Sequence, residues 1–210
     1  MSKNKSGLLI VIEGIDGSGK SIQSQLLYQE LLSRGIPAEL LFEPTEGKYG
    51  KLIRKKLKNA SLTPEEAFKL FVLDRKENVM KNILPALKAG KVIIMDRYYT
   101  STIAYQGASG IPIQKILKEH QFAPEPDLVF IIDIPVSEAF KRLSKKDSDA
   151  FEKNFDFLER VRKMYLDLHK YINSKVIILD GRKELSQLHN EILKYTLEFI
   201  AKKHESLEGE

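Results

Sequence analysis

The 210-residue chain contains no cysteine, which excludes disulfides, thiolate zinc sites and cysteine nucleophiles. This absence also fits a reducing compartment. Long apolar runs are missing as well, because the longest, such as Leu8–Ile12 and Leu128–Ile132, have the length of a strand and not the ~20 residues of a membrane helix. The apolar stretch behind the basic N-terminus is too short for a signal peptide. We therefore expect a cytoplasmic protein that has no membrane partner.

Neither sign of charge dominates, since 34 basic and 29 acidic residues leave a net charge of +5. This mild excess suits small anionic ligands such as nucleotides, but it is too dispersed to indicate binding of nucleic acid. Hydrophobic residues make up 42% of the chain and charged residues 30%, a composition that allows a packed core and excludes global disorder. We expect one folded domain over residues 1–210.

Segments of strand length alternate with segments of helical spacing along the whole chain. The strands are predicted at Leu8–Glu13, Ala38–Phe42, Val92–Met95, Leu128–Asp133 and Val176–Leu179. This alternation predicts an α/β fold, a three-layer sandwich in which helices cover both faces of a five-stranded parallel sheet.

The intervening helices have recognisable ends. Thr63, Pro64 and Glu66 form the pattern of an N-cap, a first-turn proline and a capping box, and this helix is expected to run towards Asn82, with a further turn after Pro85. A polar, charged interruption at Ser144–Ala150 separates the helices predicted on either side of it. The other helices are predicted at Ile22–Ser33, Gly47–Lys58, Tyr99–Gln106, Ile113–His120, Ser137–Leu143, Phe151–Tyr171 and Leu185–Lys202, with a frayed tail from His204 onwards.

A glycine-rich loop between the first strand and the first helix matches G-x-x-x-x-G-K-[ST]. Glycines let backbone N–H groups curl around a phosphate, and the start of the helix adds donors and partial positive charge. Lys20 can reach the β- and γ-phosphates of a nucleotide, and the hydroxyl of Ser21 can bind Mg²⁺. The predicted phosphate-binding residues are Gly14, Ile15, Asp16, Gly17, Ser18, Gly19, Lys20 and Ser21.

A phosphate loop by itself is compatible with a GTPase switch, an ATPase motor or a small-molecule kinase. The Asn-Lys-x-Asp string expected of a GTPase does not occur in this sequence. The residues at the ends of the other strands must therefore decide between these classes.

Those residues make the chain resemble the thymidylate kinase family of nucleoside monophosphate kinases. The most specific element is Asp96-Arg97-Tyr98 followed by Ser101 and Ala104-Tyr105-Gln106-Gly107. The other patches are Glu13–Ser21 with Gln23 and Gln25, Glu43-Pro44, Leu70-Phe71 with Asp74-Arg75, and Pro126-Asp127. The resemblance implies a P-loop NTPase-type fold and a homodimer that uses ATP, dTMP and Mg²⁺.

The resemblance also implies roles for residues of the acceptor site. It assigns Arg97 to the acceptor phosphate, for which a planar guanidinium is suited. It places the ring of Phe71 against thymine and Arg75 at a pyrimidine carbonyl. The remaining residues that it assigns to dTMP are Asp16 at the 3′-hydroxyl, Glu43, Ser101, Tyr105 beside the sugar 2′ position, and Gln106. It assigns Asp96, together with Ser21, to Mg²⁺.

The chain departs from the family pattern at three positions. Phe42 stands where the family often has an arginine, and Arg54 or a neighbour in the basic stretch Lys51–Lys58 is a candidate replacement. Ile22 stands where the family usually has threonine, which bears on how the donor phosphates are held. Gly17 stands where some members carry an arginine in the phosphate loop.

Because phosphoryl transfer requires positive charge on the transferring group, that charge must then come from another segment. The polar segment at about residues 142–153 resembles the small lid of the family, and we expect the charge to come from its residues Arg142, Lys145 and Lys146. The resemblance also offers an alternative for Arg142, which is to stack on adenine. Tyr165, on the helix behind the lid, is expected either to face the acceptor or to pack in the core.

The sequence therefore predicts an ATP-dependent kinase of dTMP. The phosphate loop itself supports a P-loop kinase, and the preference for thymine depends on the resemblance. Two alternatives stay open: a kinase of another pyrimidine monophosphate or of a deoxynucleoside, and a P-loop switch that binds a nucleotide without transferring phosphate. The four histidines have neither ligand spacing nor a motif, and we expect them to be structural or exposed.

Overall fold

The computed structural model describes residues 7–59, 61–143 and 148–208, without the side chains of residues 148–154 and 204–208. Its strands form one sheet in the order β2-β3-β1-β4-β5, and all neighbouring strands are parallel. They are β1 Leu8–Glu13, β2 Ala38–Phe42, β3 Val92–Asp96, β4 Leu128–Asp133 and β5 Lys175–Asp180. This arrangement confirms the predicted five-stranded parallel sheet.

Nine α-helices connect and follow the strands within the described residues. They are α1 Lys20–Ser33, α2 Lys48–Lys58, α3 Pro64–Asn78, α4 Leu84–Lys88, α5 Tyr99–Ala108, α6 Ile113–Glu119, α7 Val136–Leu143, α8 Ser148–Leu166 and α9 Leu185–Glu208. None of the helices in the described part of the chain is long and apolar enough to cross a bilayer.

The period-two alternation of the strands divides the core into two layers. In β1, Leu9 and Val11 face one layer, which includes side chains from α3, α5 and α8. Leu8, Ile10 and Ile12 face the opposite layer, which includes side chains from α1 and α9. Helices thus cover both faces of the sheet, as the continuous apolar runs of a parallel sheet require.

Several predicted helix boundaries are wrong. The helix that starts at Pro64 continues through a π-helical segment, Val79–Ile83, into α4. Pro85 explains the wider turn, because a proline has no N–H and its ring crowds the carbonyl four residues earlier, that of Lys81. Helix α8 ends at Leu166 and is followed by a 3₁₀ turn at Leu168–Lys170, whereas the prediction extended it to Tyr171. Helix α9 reaches Glu208, whereas the prediction ended it at Lys202.

The topology brings the carboxyl ends of the strands to one edge of the sheet. The chain leaves β1 for β2 and β3 on one side and then crosses to β4 and β5 on the other. In sheets of this type, ligands bind outside the carboxyl ends of the strands at such a switch point. Asp96 lies in register with Ile12 and with Phe42, so the ends of three adjacent strands are level at this edge.

Helix α3, which carries Phe71 and Arg75, begins with the predicted capping box. The Thr63 hydroxyl accepts a hydrogen bond of 3.2 Å from the Glu66 amide, and the Glu66 carboxylate accepts one of 3.0 Å from the Thr63 amide. We expect Thr63→Ala to lower the free energy of unfolding by about 1 kcal/mol, because it leaves the Glu66 amide without its acceptor. Urea unfolding measures this loss. Thr63→Ser, which keeps the hydroxyl, is the control, and equal loss in both variants would contradict the capping role.

Candidate active site

The phosphate loop connects β1 to α1 through a backbone that requires glycine. Gly14, Gly17 and Gly19 have φ angles of 149°, 83° and 96°. A Cβ on Gly14 would lie 2.6 Å from the carbonyl oxygen of Ile132, and a Cβ on Gly17 would lie 2.8 Å from that of Ala139. Gly14 and Gly17 therefore have no room for a side chain unless their neighbours move, and at Gly19 the φ angle alone favours glycine.

A first cavity of about 490 Å³ opens over this loop. Six of the predicted donor residues line it, namely Gly17, Ser18, Gly19, Lys20, Ser21 and Arg142. Gly14, Ile15 and Asp16 do not, and the Ile15 side chain is packed in the core. The sequence did not single out Gly181, Lys183, Leu185 and Leu188, which line the cavity from the segment after β5 and from α9. These four residues belong to no motif, so no local signal could have identified them.

A second cavity, of about 560 Å³, adjoins the first. The predicted residues that line it are Asp16, Glu43, Phe71, Asp96, Arg97, Ser101, Tyr105 and Gln106. Phe71 is half-buried, so part of its ring is available to a ligand, whereas an ordinary core phenylalanine would be enclosed. Residues that the sequence reasoning did not assign to a ligand, Leu57, Ala67 and Thr102, also line this cavity.

The two cavities share Lys20 and Ser21 as lining residues. The Asp16 carboxylate bridges the two basic side chains that are predicted to bind phosphate. Its Oδ1 atom accepts a 3.4 Å hydrogen bond from Lys20 Nζ and a further one from the Arg97 guanidinium. Burial and the neighbouring charge of Arg97 lower the pKa of Lys20. Burial by itself would raise the pKa of Asp16, but Arg97 and Lys20 bring it below its ordinary value. The arrangement can hold two anions end to end, one in each cavity.

Arg97 reaches this cavity from a backbone conformation that non-glycine residues rarely adopt. Its φ angle is 72°, in the left-handed region, which costs an L-residue roughly 1–2 kcal/mol. The guanidinium donates to the Ser101 hydroxyl at 3.2 Å and lies over the Tyr105 ring, 5.4 Å from its centroid. Strain of this kind persists where the surrounding structure over-determines it, as at binding sites.

Asp96 and Ser21 form a pair of oxygen groups between the cavities. The Ser21 hydroxyl donates to Asp96 Oδ2. The other carboxylate oxygen, Asp96 Oδ1, is buried and has no hydrogen-bond partner among the residues that the structure describes. A buried acceptor of this kind is costly unless something binds it, and carboxylate and hydroxyl oxygens are ligands that Mg²⁺ prefers.

Arg75 is only 1% exposed and does not line the second cavity. Its guanidinium forms an ion pair of 2.6 Å with Glu43 and donates to the Thr102 hydroxyl at 2.9 Å, and both of these partners do line the cavity. Burial raises the pKa of Glu43 in spite of the nearby Arg75. Direct contact of Arg75 with a ligand therefore stays a prediction, and in the structure the side chain supports the cavity wall.

His120 lies on the far side of Arg75, fully enclosed and close to three aromatic rings. Its Nδ1 lies 2.7 Å from the carbonyl oxygen of Ile116, so this nitrogen must carry the hydrogen. The other ring nitrogen, Nε2, then accepts from Arg75 at 2.6 Å. Burial and the charge of Arg75 lower the pKa of His120 to about 3. This agrees with the structural role that the sequence suggested.

Arg54 lines the second cavity together with Phe42. Its guanidinium is held by the carbonyl oxygens of Pro44 and Thr45, at 2.7 and 2.8 Å. Phe42 occupies the position where the family often has an arginine, and Arg54, the candidate replacement for that arginine, lines the same cavity. The sequence could not distinguish Arg54 from its lysine neighbours, because a basic stretch on a helix usually marks a solvated face.

Arg142, at the end of α7, approaches the phosphate loop. It donates to the carbonyl oxygens of Gly17 and Gly181, at 3.5 and 3.0 Å. Lys145 and Lys146, the other two lid residues predicted to supply charge, lie outside the described residues.

Comparisons of the chain with known proteins agree on one family. Residues 12–192 match the family model described as thymidylate kinase. A probable thymidylate kinase of Thermococcus kodakarensis is 38% identical over 196 residues, which cover 89% of this chain and 95% of the relative. The thymidylate kinase of Desulfotalea psychrophila is 38% identical over 199 residues, with 91% and 98% covered. That of Brachyspira hyodysenteriae is 42% identical over 191 residues, with 89% and 92% covered.

The lowered pKa of His120 predicts a specific loss of stability in acid. Below pH 6.5 the unfolded chain binds a proton on this imidazole, whereas the folded chain does not until about pH 3, so stability falls as the pH falls through this range. The contribution reaches about 1.4 kcal/mol at pH 5.5, one unit below the unfolded value. We expect His120→Gln to flatten the pH dependence of the free energy of unfolding between pH 6.5 and 5. An unchanged slope would show that His120 titrates normally.

Proposed function

Because this chain belongs to the thymidylate kinase family, we propose that it transfers the γ-phosphate of ATP to dTMP and releases dTDP and ADP. The observation that carries this proposal is the pair of adjoining cavities that share Lys20 and Ser21. A nucleotide switch needs one nucleotide cavity, whereas a phosphotransferase needs two that meet at the transferred group.

In this proposal the donor nucleotide occupies the first cavity. The orphan amides at the start of α1 and the loop backbone bind its phosphates, and Lys20 approaches the β- and γ-phosphates from between the cavities. The exposed side chain of Ile22 lines the same cavity at the position where the family usually has threonine.

Mg²⁺ fits the pair formed by Ser21 and Asp96, since Asp96 Oδ1 is buried without a partner among the described residues. When bound, the ion would neutralise part of the charge on the donor phosphates.

The acceptor occupies the second cavity, with its phosphate on Arg97. An oxygen of the dTMP phosphate attacks the γ-phosphorus, and the bond from that phosphorus to the β–γ bridging oxygen breaks to release ADP. A monophosphate oxygen is already largely deprotonated at neutral pH, so the step needs positioning and positive charge more than a base. Lys20 supplies that charge from the side of the donor and Arg97 from the side of the acceptor. When the phosphates bind, Asp16 must give up its contacts with both side chains. Its carboxylate can then accept a hydrogen bond from the acceptor's 3′-hydroxyl.

The half-buried Phe71 ring is proposed to stack on thymine, beside the polar side chain of Gln106. The Tyr105 hydroxyl is buried without a hydrogen-bond partner in the described part of the chain, and burial raises the pKa of Tyr105 to about 12, so it remains a phenol. Its bulk next to the sugar is proposed to favour deoxyribose. Arg75, through Glu43 and Thr102, is proposed to fix the wall against which the acceptor lies.

Magnesium, a homodimeric state and a cytoplasmic location complete the proposal. The homodimer is taken from the family resemblance, and the location is the expectation drawn from the sequence. They are open to test by sedimentation and by cell fractionation.

Acceptor specificity tests the proposal directly. We expect ADP to form from ATP most efficiently with dTMP, less so with dUMP and CMP, and least with thymidine, which lacks the phosphate that Arg97 binds. A coupled assay of ADP release measures kcat/KM for each acceptor. Preference for another monophosphate or for thymidine would replace dTMP by that acceptor, and absence of ADP with every acceptor would favour the switch.

The lid residues give a second test. Gly17 has no room for an arginine, so we propose that Arg142, Lys145 and Lys146 supply further positive charge to the transition state, beyond that of Lys20 and Arg97. If they do, Arg142→Ala or the double variant Lys145→Ala/Lys146→Ala lowers kcat by roughly 10³-fold, while KM for dTMP changes little. Lys141→Ala, an exposed neighbour paired with Glu138, is the matched control.

A raised KM for ATP at constant kcat in Arg142→Ala would instead support its stacking on adenine. Unchanged kcat in both lid variants would remove the lid from the mechanism.

A further inference from the structure

Glu13, the last residue of the central strand β1, is a fully buried carboxylate to which the mechanism above gives no task. A buried carboxylate is costly unless hydrogen bonds satisfy it. Here four donors do so. Glu13 Oε1 accepts from the Tyr98 amide at 2.9 Å and from the Thr100 hydroxyl at 2.6 Å. Glu13 Oε2 accepts from the hydroxyls of Ser101 and Tyr165, at 2.6 and 2.9 Å.

Three of these donors belong to Tyr98, Thr100 and Ser101, which lie within the four residues after Arg97. The amide of Arg97 itself donates to the carbonyl oxygen of Ile12 at 3.2 Å, and the next amide, that of Tyr98, donates to Glu13. The end of β1 therefore holds the chain on both sides of the left-handed residue. Such a clamp explains how Arg97 keeps a φ angle of 72° that its side chain disfavours.

The same carboxylate sets the direction of the hydroxyl groups beneath the guanidinium. A carboxylate only accepts, so Ser101 and Tyr165 both direct their hydrogens towards Glu13. Their oxygen lone pairs are then left for Arg97, whose Nη1 lies 3.2 Å from the Ser101 oxygen and 3.5 Å from the Tyr165 oxygen. Burial and the negative Glu13 raise the pKa of Tyr165 well above its usual value, so the phenol keeps its hydrogen.

We infer that Glu13 is a positioning residue, which holds the backbone and the guanidinium of Arg97 in the geometry that binds the phosphate of the acceptor. Glu13 acts through Arg97 and does not touch the ligand. The inference rests on the proposed function, because it takes the ligand of Arg97 to be the acceptor monophosphate. It predicts that the loss of Glu13 affects recognition of the phosphate and not of the nucleoside.

The test is Glu13→Gln with two ligands that differ only in the phosphate, dTMP and thymidine. The glutamine amide keeps the size but replaces one acceptor oxygen by a donor, so at least one of the groups that now donate to Glu13 loses its acceptor and the hydroxyls beneath Arg97 must reorient. Calorimetry of the full chain measures the dissociation constants. We expect the affinity for dTMP to fall roughly tenfold or more, as for the loss of a hydrogen bond to a charged group, while the affinities for thymidine and ADP stay within about twofold.

A merely structural role for Glu13 would give a different pattern. The substitution would then lower the affinities for dTMP and for thymidine by the same factor, and this result would overturn the inference. Asp127→Asn is the matched control, since Asp127 also accepts from a backbone amide, that of Leu9 at 2.8 Å, but lines neither cavity. We expect this control to leave the ratio of the two affinities unchanged.

Arg97→Ala completes a double-mutant cycle. If Glu13 acts through Arg97, adding Glu13→Gln to Arg97→Ala costs no further affinity for dTMP, whereas an additive loss would contradict the inference. Tyr165→Phe removes one hydroxyl of the network and keeps the charge of Glu13, so it serves if Glu13→Gln does not fold. It should lower the affinity for dTMP relative to thymidine, and an unchanged ratio in that variant would equally count against the inference.

The wild-type chain separates this inference from the proposed function. If wild type binds dTMP no more tightly than thymidine, the acceptor phosphate is not the ligand of Arg97, and the proposed function fails together with the inference. If wild type prefers dTMP and forms ADP with it, while Glu13→Gln leaves that preference intact, only the inference fails.

Discussion

The site depends on holding two cations, Lys20 and Arg97, next to each other at one edge of the sheet. Like charges in a partly buried cavity repel, and the charge of Arg97 contributes to the lowered pKa of Lys20. Asp16 offsets this repulsion because one of its oxygens accepts from both side chains. The fold brings the cations together, since they follow adjacent parallel strands whose carboxyl ends are level. Phosphates can then take over the role of the carboxylate.

Two buried carboxylates, at the carboxyl ends of strands that flank β3, each organise an arginine. Glu43, just beyond β2, pairs directly with Arg75, whereas Glu13, at the end of β1, acts on Arg97 through a backbone amide and two hydroxyls. Buried ionic groups contribute little net stability, because the cost of removing them from water offsets their attraction. Their value at this site lies in geometry, because each carboxylate restricts the positions of its arginine, Arg75 behind the wall of the second cavity and Arg97 at its lining.

The departures from the family pattern become intelligible in three dimensions. Phe42 presents an exposed ring to the second cavity, and the cation missing there has a counterpart in Arg54 on α2, which is fixed by two carbonyl oxygens. Gly17 lies against the carbonyl of Ala139, so an arginine could not occupy the loop without moving α7. Arg142 of α7 instead reaches back to the carbonyl of Gly17. In both cases positive charge comes from another element that borders the same cavity.

The sequence by itself determined the elements with a local physical signal: the apolar runs of the five strands, the glycine loop with Lys20 and Ser21, and the capping box at Thr63. The family motif also identified Arg97 and Asp96. Only the tertiary structure decided that Arg75 is enclosed by Glu43 and His120, that Gly181 and Lys183 border the donor cavity, and that Glu13 anchors the turn behind Arg97. The hydrogen-bonded partners among these residues are 32 to 85 positions apart in the sequence. Local spacing and composition carry no information about contacts over such distances.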